Sequence, residues 1–197
     1  MKGLSEREYP ADIVIWPIQF TQTSNNLEIL YNSIDKSKNI IKKFLMDSGV
    51  EESEISLSTP SIVDKSAQNY GGNNPSQFRF TSRQTVTVYS KKVDLIRSLM
   101  NKLSSLGKKG IVFSGNDYDN RTEFIFSKLN SIKPEMIQEA TTKAREVAQK
   151  FAEDSNSELG KIKRAYQGQF SIYPRDRNNP HIKKIRVVST VEYYLSD

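Results

Sequence analysis

Residues 11–20 read ADIVIWPIQF, and residues 24–49 read SNNLEILYNSIDKSKNIIKKFLMDSG. The first stretch is β-rich: Ile13, Ile15 and Ile18 stand among Val14, Trp16 and Phe20. Pro17 has no N–H to give a ladder, so an edge position or a bulge is expected there. In the second stretch the period changes. Leu27, Leu30, Tyr31, Ile34, Ile41, Phe44 and Leu45 recur at the spacing of one helix face. Ser24 is the expected N-cap and Gly49 the expected stop. A strand feeding a long amphipathic helix sets the pattern for the rest of the chain.

Downstream, residues 54–63 (EISLSTPSIV) alternate until Pro60, and residues 77–90 alternate again through Phe78, Phe80, Val86 and Val88. The two read as a hairpin whose long connection, 64–76, carries Gly71-Gly72 and is loop-like in composition. A second round follows. Val93, Ile96, Leu99, Met100, Leu103 and Leu106 mark a helix, and strands are expected at 111–114 and 122–129. Pro134 suits the first turn of a further helix, whose stripe is Ile137, Ala140, Ala144, Val147, Ala148 and Phe151. That face is rich in Ala, so another surface can approach it closely. Strands at about 160–172 and 183–196 close the chain. The order predicts an α+β fold of two βαββ-like units, antiparallel sheets with long amphipathic helices packed on one face. One domain across 1–197 is expected, with sub-units at about 1–90 and 91–197. No internal sequence repeat is evident, so a duplication would be structural only.

Composition narrows the chemistry. The 197 residues contain no Cys and a single His, His181, which excludes thiol nucleophiles, Cys-ligated metals and a multi-His site within one chain. No glycine-rich phosphate loop and no nucleophile elbow occur, and His181 reads as an exposed loop residue. Glu51, Glu52 and Glu54, and Asp117 with Asp119, read as solvated turn acids rather than metal ligands. No catalytic, cofactor or metal residues are expected, and no cofactor. Strand aromatics read as core rather than as an RNA platform, so specific nucleic-acid binding is not expected. The net charge of +6 favours loose attraction to polyanions, and Arg175, Arg177, Lys183 and Lys184 are the candidate polyanion-binding residues. No stretch is long and apolar enough to span a bilayer as a helix.

Five ordered stretches carry a family resemblance: KGLSEREYPADIVIWPI (2–18), SGNDYDNRTEFIFSKLNSIKPEMIQEAT (114–141), AREVAQKFAEDS (144–155), LGKIKRAYQGQFSI (159–172) and KKIRVVSTVEYYL (183–195). Together they resemble the SIMPL domain family, and the resemblance spans nearly the whole chain. It implies a periplasmic or envelope-associated protein with an export or anchor segment ahead of Met1, which would supply the only membrane attachment. It also implies homo-oligomerisation and a link to stress tolerance, with no established catalytic residues. Within these motifs Gly3 and Gly168 are expected where a Cβ would not fit, and Trp16 is expected to close a core or a subunit contact. The leading expectation is therefore a non-enzymatic, exported envelope protein that self-associates, with loops 64–76 and 173–184 as reaching segments. The alternative is a polyanion or envelope-ligand binding module that uses the basic C-terminal loop.

Overall fold

The computed structural model describes residues 1–68, 77–114 and 120–196. Its elements in chain order are β1 (Lys2–Pro10), β2 (Ile13–Ser24), α1 (Leu27–Asp47), β3 (Ile55–Leu57), β4 (Ser61–Asp64), β5 (Phe80–Ser90) and α2 (Val93–Lys102). There follow α3 (Ser104–Gly107), β6 (Val112–Phe113), β7 (Glu123–Ile125), α4 (Leu129–Asp154), β8 (Glu158–Gln167), β9 (Ser171–Pro174) and β10 (Ile182–Ser196). The fold is α+β. Residues 13–124 form one unit, and residues 1–12 with 125–197 form the other. The partition thus differs from the tandem split expected near residue 90, because β1 pairs with the distant β10 rather than with its neighbour β2.

In the inserted unit, 13–124, β5 pairs antiparallel with β2 from Val14 opposite Ser90 to Ser24 opposite Phe80. Trp16, Ile18 and Phe20 are buried on one face of β2, and Gln22 on the same face donates to Ser37 of α1 at 2.9 Å. That bond places the buried stripe Leu30, Ile34, Ser37, Ile41 and Leu45 against this face. Trp16 closes the core as expected. Pairing is unbroken across Pro17, so no bulge forms. On its other side β2 pairs with β6 at Phe20 and Thr21, and also with β7. The cap of α1 lies two residues beyond Ser24. Asn26 accepts from the Ile29 N–H at 3.1 Å, while Ser24 Oγ accepts from the Asn26 N–H. Gly49 takes the positive φ of 96° that ends the helix.

In the terminal unit β10 is central, with β1 on one side and β8 and β9 on the other. The strand β1 had not been expected as an element of its own. Its inward residues are Gly3, Ser5, Arg7 and Tyr9, which give no apolar alternation to read. The helix α4 covers the sheet with Met136, Ala140, Ala144, Ala148 and Ala152 buried. Gly3 fits beneath it so closely that a Cβ there would lie 1.9 Å from the Ala140 carbonyl oxygen. At Gly168 a Cβ would lie 2.8 Å from the Val188 carbonyl oxygen. Both glycines are therefore required for packing. The Ala stripe, expected to admit a partner, is occupied by the chain's own sheet. The helix also starts five residues before Pro134. The Asp12 carboxylate accepts from the Ser127 N–H and hydroxyl, each at 2.8 Å, and this takes the chain out of strand geometry after Ile125.

The two units share a βαββ element order. Each contains a strand, a helix, a broken strand and a long strand that lies central, β1-β10-β8 in one and β2-β5-β3 in the other. In 13–124 α2, α3, β6 and β7 follow that strand, and β6 and β7 pair with β2. The break falls in the same place. The first pieces, β8 and β3, pair with the C-terminal half of the central strand, and the second pieces, β9 and β4, with its N-terminal half. The shared βαββ order is nested rather than tandem, since one unit lies between the first strand and the helix of the other.

Candidate functional site

The inferred basic site comes apart in the structure. Alternation along β10 buries Lys183 on the helix side and turns Lys184 to the other face. Lys184 is paired with Glu6 at 3.3 Å. Arg175 lies between Asp176 at 3.0 Å and Glu8 at 3.7 Å. Only Arg177 stands exposed with neither an ion pair nor a hydrogen bond among the described residues. Loop 173–184 is a closed hairpin rather than a reaching arm. Asp176 accepts from the Asn178 and Asn179 N–H groups, and the Arg175 N–H donates to the Ile182 carbonyl at 2.8 Å. Its hydrogen bond from Arg175, followed by those from Asn179, lowers the Asp176 carboxyl to about 2. Loop residues 69–76, with Gly71 and Gly72, lie outside the described residues, as do Asp117 and Asp119.

The acids 51–54 are also engaged. Glu52 pairs with Lys42, Glu51 with Lys92, and Glu54 accepts from the Ser90 hydroxyl at 2.7 Å. No group of three potential metal ligands occurs among the described residues. His181 is half-buried, and its carbonyl accepts from the Ala11 N–H at 2.7 Å.

The two flanks of α4 differ in charge. On the β1 side, Glu139 accepts from Ser5 at 2.8 Å and Arg7 at 3.1 Å and pairs with Lys143 at 2.6 Å; Glu135 pairs with Arg7 at 2.8 Å. Lys143, Ser5 and Arg7, in that order, hold the Glu139 carboxyl at about 2. This flank is self-neutralised. On the β8 side, Thr141, Thr142 and Arg145 of α4 line an open cavity of about 530 Å³ together with Leu159, Gly160, Lys161, Ile162 and Tyr193. No carboxylate lines it, and neither Arg145 nor Lys161 is ion-paired among the described residues. The pairing of β8 with β10 shifts register between Glu192 and Leu195, and such shifts re-aim side chains at a sheet edge. A second cavity of about 230 Å³, with Met1, Ala148, Phe151, Val191, Glu192 and Leu195 on its walls, shares Leu159 and Tyr193 with the first. Sequence reading missed both: Arg145 and Lys161 are 16 residues apart in different elements, and nothing in their spacing joins them.

A family model described as "SIMPL: Protein of unknown function (DUF541)" matches residues 1–192. The chain belongs to the SIMPL family. No curated protein matches it. As a SIMPL protein it carries the family's pattern over both units, since the match begins in β1 and runs into β10. In this SIMPL chain the surface away from α4 has two characters. One half bears the cross-strand charges Glu6, Glu8, Lys184 and Arg186. The other half exposes Leu4, Tyr166 and Tyr194, the last two at 67% and 57%, and Tyr173 is exposed near the charged half. No helix in the described residues is long and apolar enough to cross a membrane.

Proposed function

We propose that this protein is a non-enzymatic, exported component of the bacterial cell envelope that self-associates, with stress tolerance as its setting. The observation that carries the association is the outer face of the β1-β10-β8 sheet, where Leu4, Tyr166 and Tyr194 are exposed on one side of three adjoining strands. Tyr and other large apolar side chains gathered on a surface mark contact sites. The free edge of β8 is a poorer contact, because its register shifts and Lys161 and Lys163 discourage strand addition. The charged half of the same face supplies orientation, since Glu6, Lys184 and Tyr173 already form a cross-strand set. Export and envelope placement rest on what the family resemblance implies, and the non-enzymatic reading rests on a sequence without a recognised catalytic motif.

Sedimentation velocity over a wide concentration range tests association. The expected result is a mass that rises with concentration, and a Tyr166→Glu, Tyr194→Glu double variant that stays monomeric. A wild-type chain that is monomeric throughout overturns the proposal. Placement is tested by fractionating cells that express the complete gene, with periplasmic or envelope recovery expected.

A further inference from the structure

We infer that the paired cavities between α4 and β8 form a binding site for a single-chain amphiphile with an anionic head. The larger cavity is cationic: Arg145 and Lys161 line it with the hydroxyl-bearing Thr141, Thr142 and Tyr193 beside Leu159 and Ile162, and no carboxylate lines it. At about 530 Å³ it falls within the ~300–1,000 Å³ of small-molecule sites. Arg7, Lys143, Arg175 and Lys184 of this unit are ion-paired, whereas Arg145 and Lys161 line one cavity with no ion pair among the described residues. An anion supplies what the fold leaves out, and a head with two or more oxygens matches a guanidinium and an ammonium together.

The smaller cavity gives the ligand its second half. Leu159 and Tyr193 wall both spaces, so a molecule seated beside Arg145 and Lys161 continues past them onto Ala148, Phe151, Val191 and Leu195, with Met1 and Glu192 also on the wall of the smaller space. Phe151 and Leu195 are each 56% exposed, and an alkyl chain laid between them removes apolar surface from water. A free inorganic anion would use only the first cavity, and a neutral alcohol only the second. The site lies on the helix side of the sheet, opposite Tyr166 and Tyr194, so the inference does not depend on self-association.

Calorimetric titration of the full chain, below the micellar range of each probe, tests this with decanoate, decyl phosphate, decanol and inorganic phosphate. Saturable binding of decanoate or decyl phosphate is expected, and the tighter of the two identifies the head. Decanol and inorganic phosphate are each expected to bind at least about tenfold more weakly. The Arg145→Gln, Lys161→Gln variant and the Phe151→Ser, Leu195→Ser variant are each expected to lose about tenfold in affinity. All four positions are exposed, and a thermal melt checks that each variant folds. Amide shifts in the unaltered chain give a second reading: Gly160 and Leu195 are expected to move with the ligand. No saturable binding by either amphiphile, inorganic phosphate binding as tightly as decanoate, decanol binding as tightly as decanoate, undiminished affinity in the Arg145/Lys161 variant, or shifts confined to other regions would each overturn the inference.

Discussion

Gly3 concentrates the packing of a whole unit at one atom. Its missing Cβ lets β1 lie against the backbone of α4, where Ala140 and Ala144 keep their own side chains short. A Gly3→Ala substitution places carbon 1.9 Å from a carbonyl oxygen and 2.4 Å from the Ala144 nitrogen, backbone atoms that cannot swing aside. The loss expected is about 3 kcal/mol, the upper range for overpacking a tight core, read as a shift in the denaturant midpoint. A Gly3→Ala chain as stable as the parent would mean that α4 rides higher than described. The sequence reading singled out Gly3 because the residue type itself signals close approach, and it recognised the small residues of α4. It did not join them, because 137 positions separate Gly3 from Ala140 and nothing in their spacing couples them. The basic residues fail for a related reason. Arg175, Lys183 and Lys184 cluster in the chain, but alternation buries Lys183 on the helix side while Glu8 and Glu6 on β1 pair with Arg175 and Lys184.

At the scale of elements, β1 is held to α4 by ions as well as by fit. Glu139 receives Lys143 from its own helix and Ser5 and Arg7 from β1, so its charge stitches strand to helix. Its folded carboxyl titrates at about 2 against an ordinary 4.5. A carboxyl lowered on folding contributes stability that is fully present above its unfolded pKa and is lost as pH falls toward the folded one. The window is therefore pH 4.5 down to about 2, over which this unit is expected to weaken. Glu139→Gln removes the titration. It is expected to cost about 1 kcal/mol at neutral pH, the scale of a partly exposed pair, and to flatten the acid limb of a stability–pH curve. An acid limb of unchanged slope in Glu139→Gln would place the sensitivity in other groups, with Asp12 and Asp64, both also lowered, as the first to substitute. Elements with apolar periodicity, such as α1 and β5, were legible because burial writes 3.6 and 2.0 directly into the sequence. The strand β1, by contrast, is built on Gly, Ser, Arg and Tyr facing inward, and its signal is a fit to α4 rather than a pattern of its own.

Over the whole molecule, the shared topology of the two units points to one βαββ plan used twice, with one copy carried between the first strand and the helix of the other. The junction supports that reading. The Asp12 N–H donates to the Ile125 carbonyl at 2.9 Å, so the chain leaves and re-enters the terminal unit at adjacent points. Such an arrangement lets the inserted unit be removed without stretching what remains, since loop closure across neighbouring ends costs little. A chain that joins Asp12 to Ile125 through a short Gly-Ser linker is expected to fold with β1, α4, β8, β9 and β10 in their present register. Residues 13–124 expressed alone are expected to fold as well, because β2, β5 and α1 contribute their buried core from within that stretch. Each piece is checked by amide dispersion and a cooperative thermal transition. The excised terminal unit is the sharper test, because its core, with Phe126, Met136, Ile185 and Val187 set against the alanines of α4, holds fewer large buried side chains than that of 13–124. A terminal unit that remains unfolded while 13–124 folds would show that the first plan depends on the second for stability, and the duplication would then be one of topology without independence.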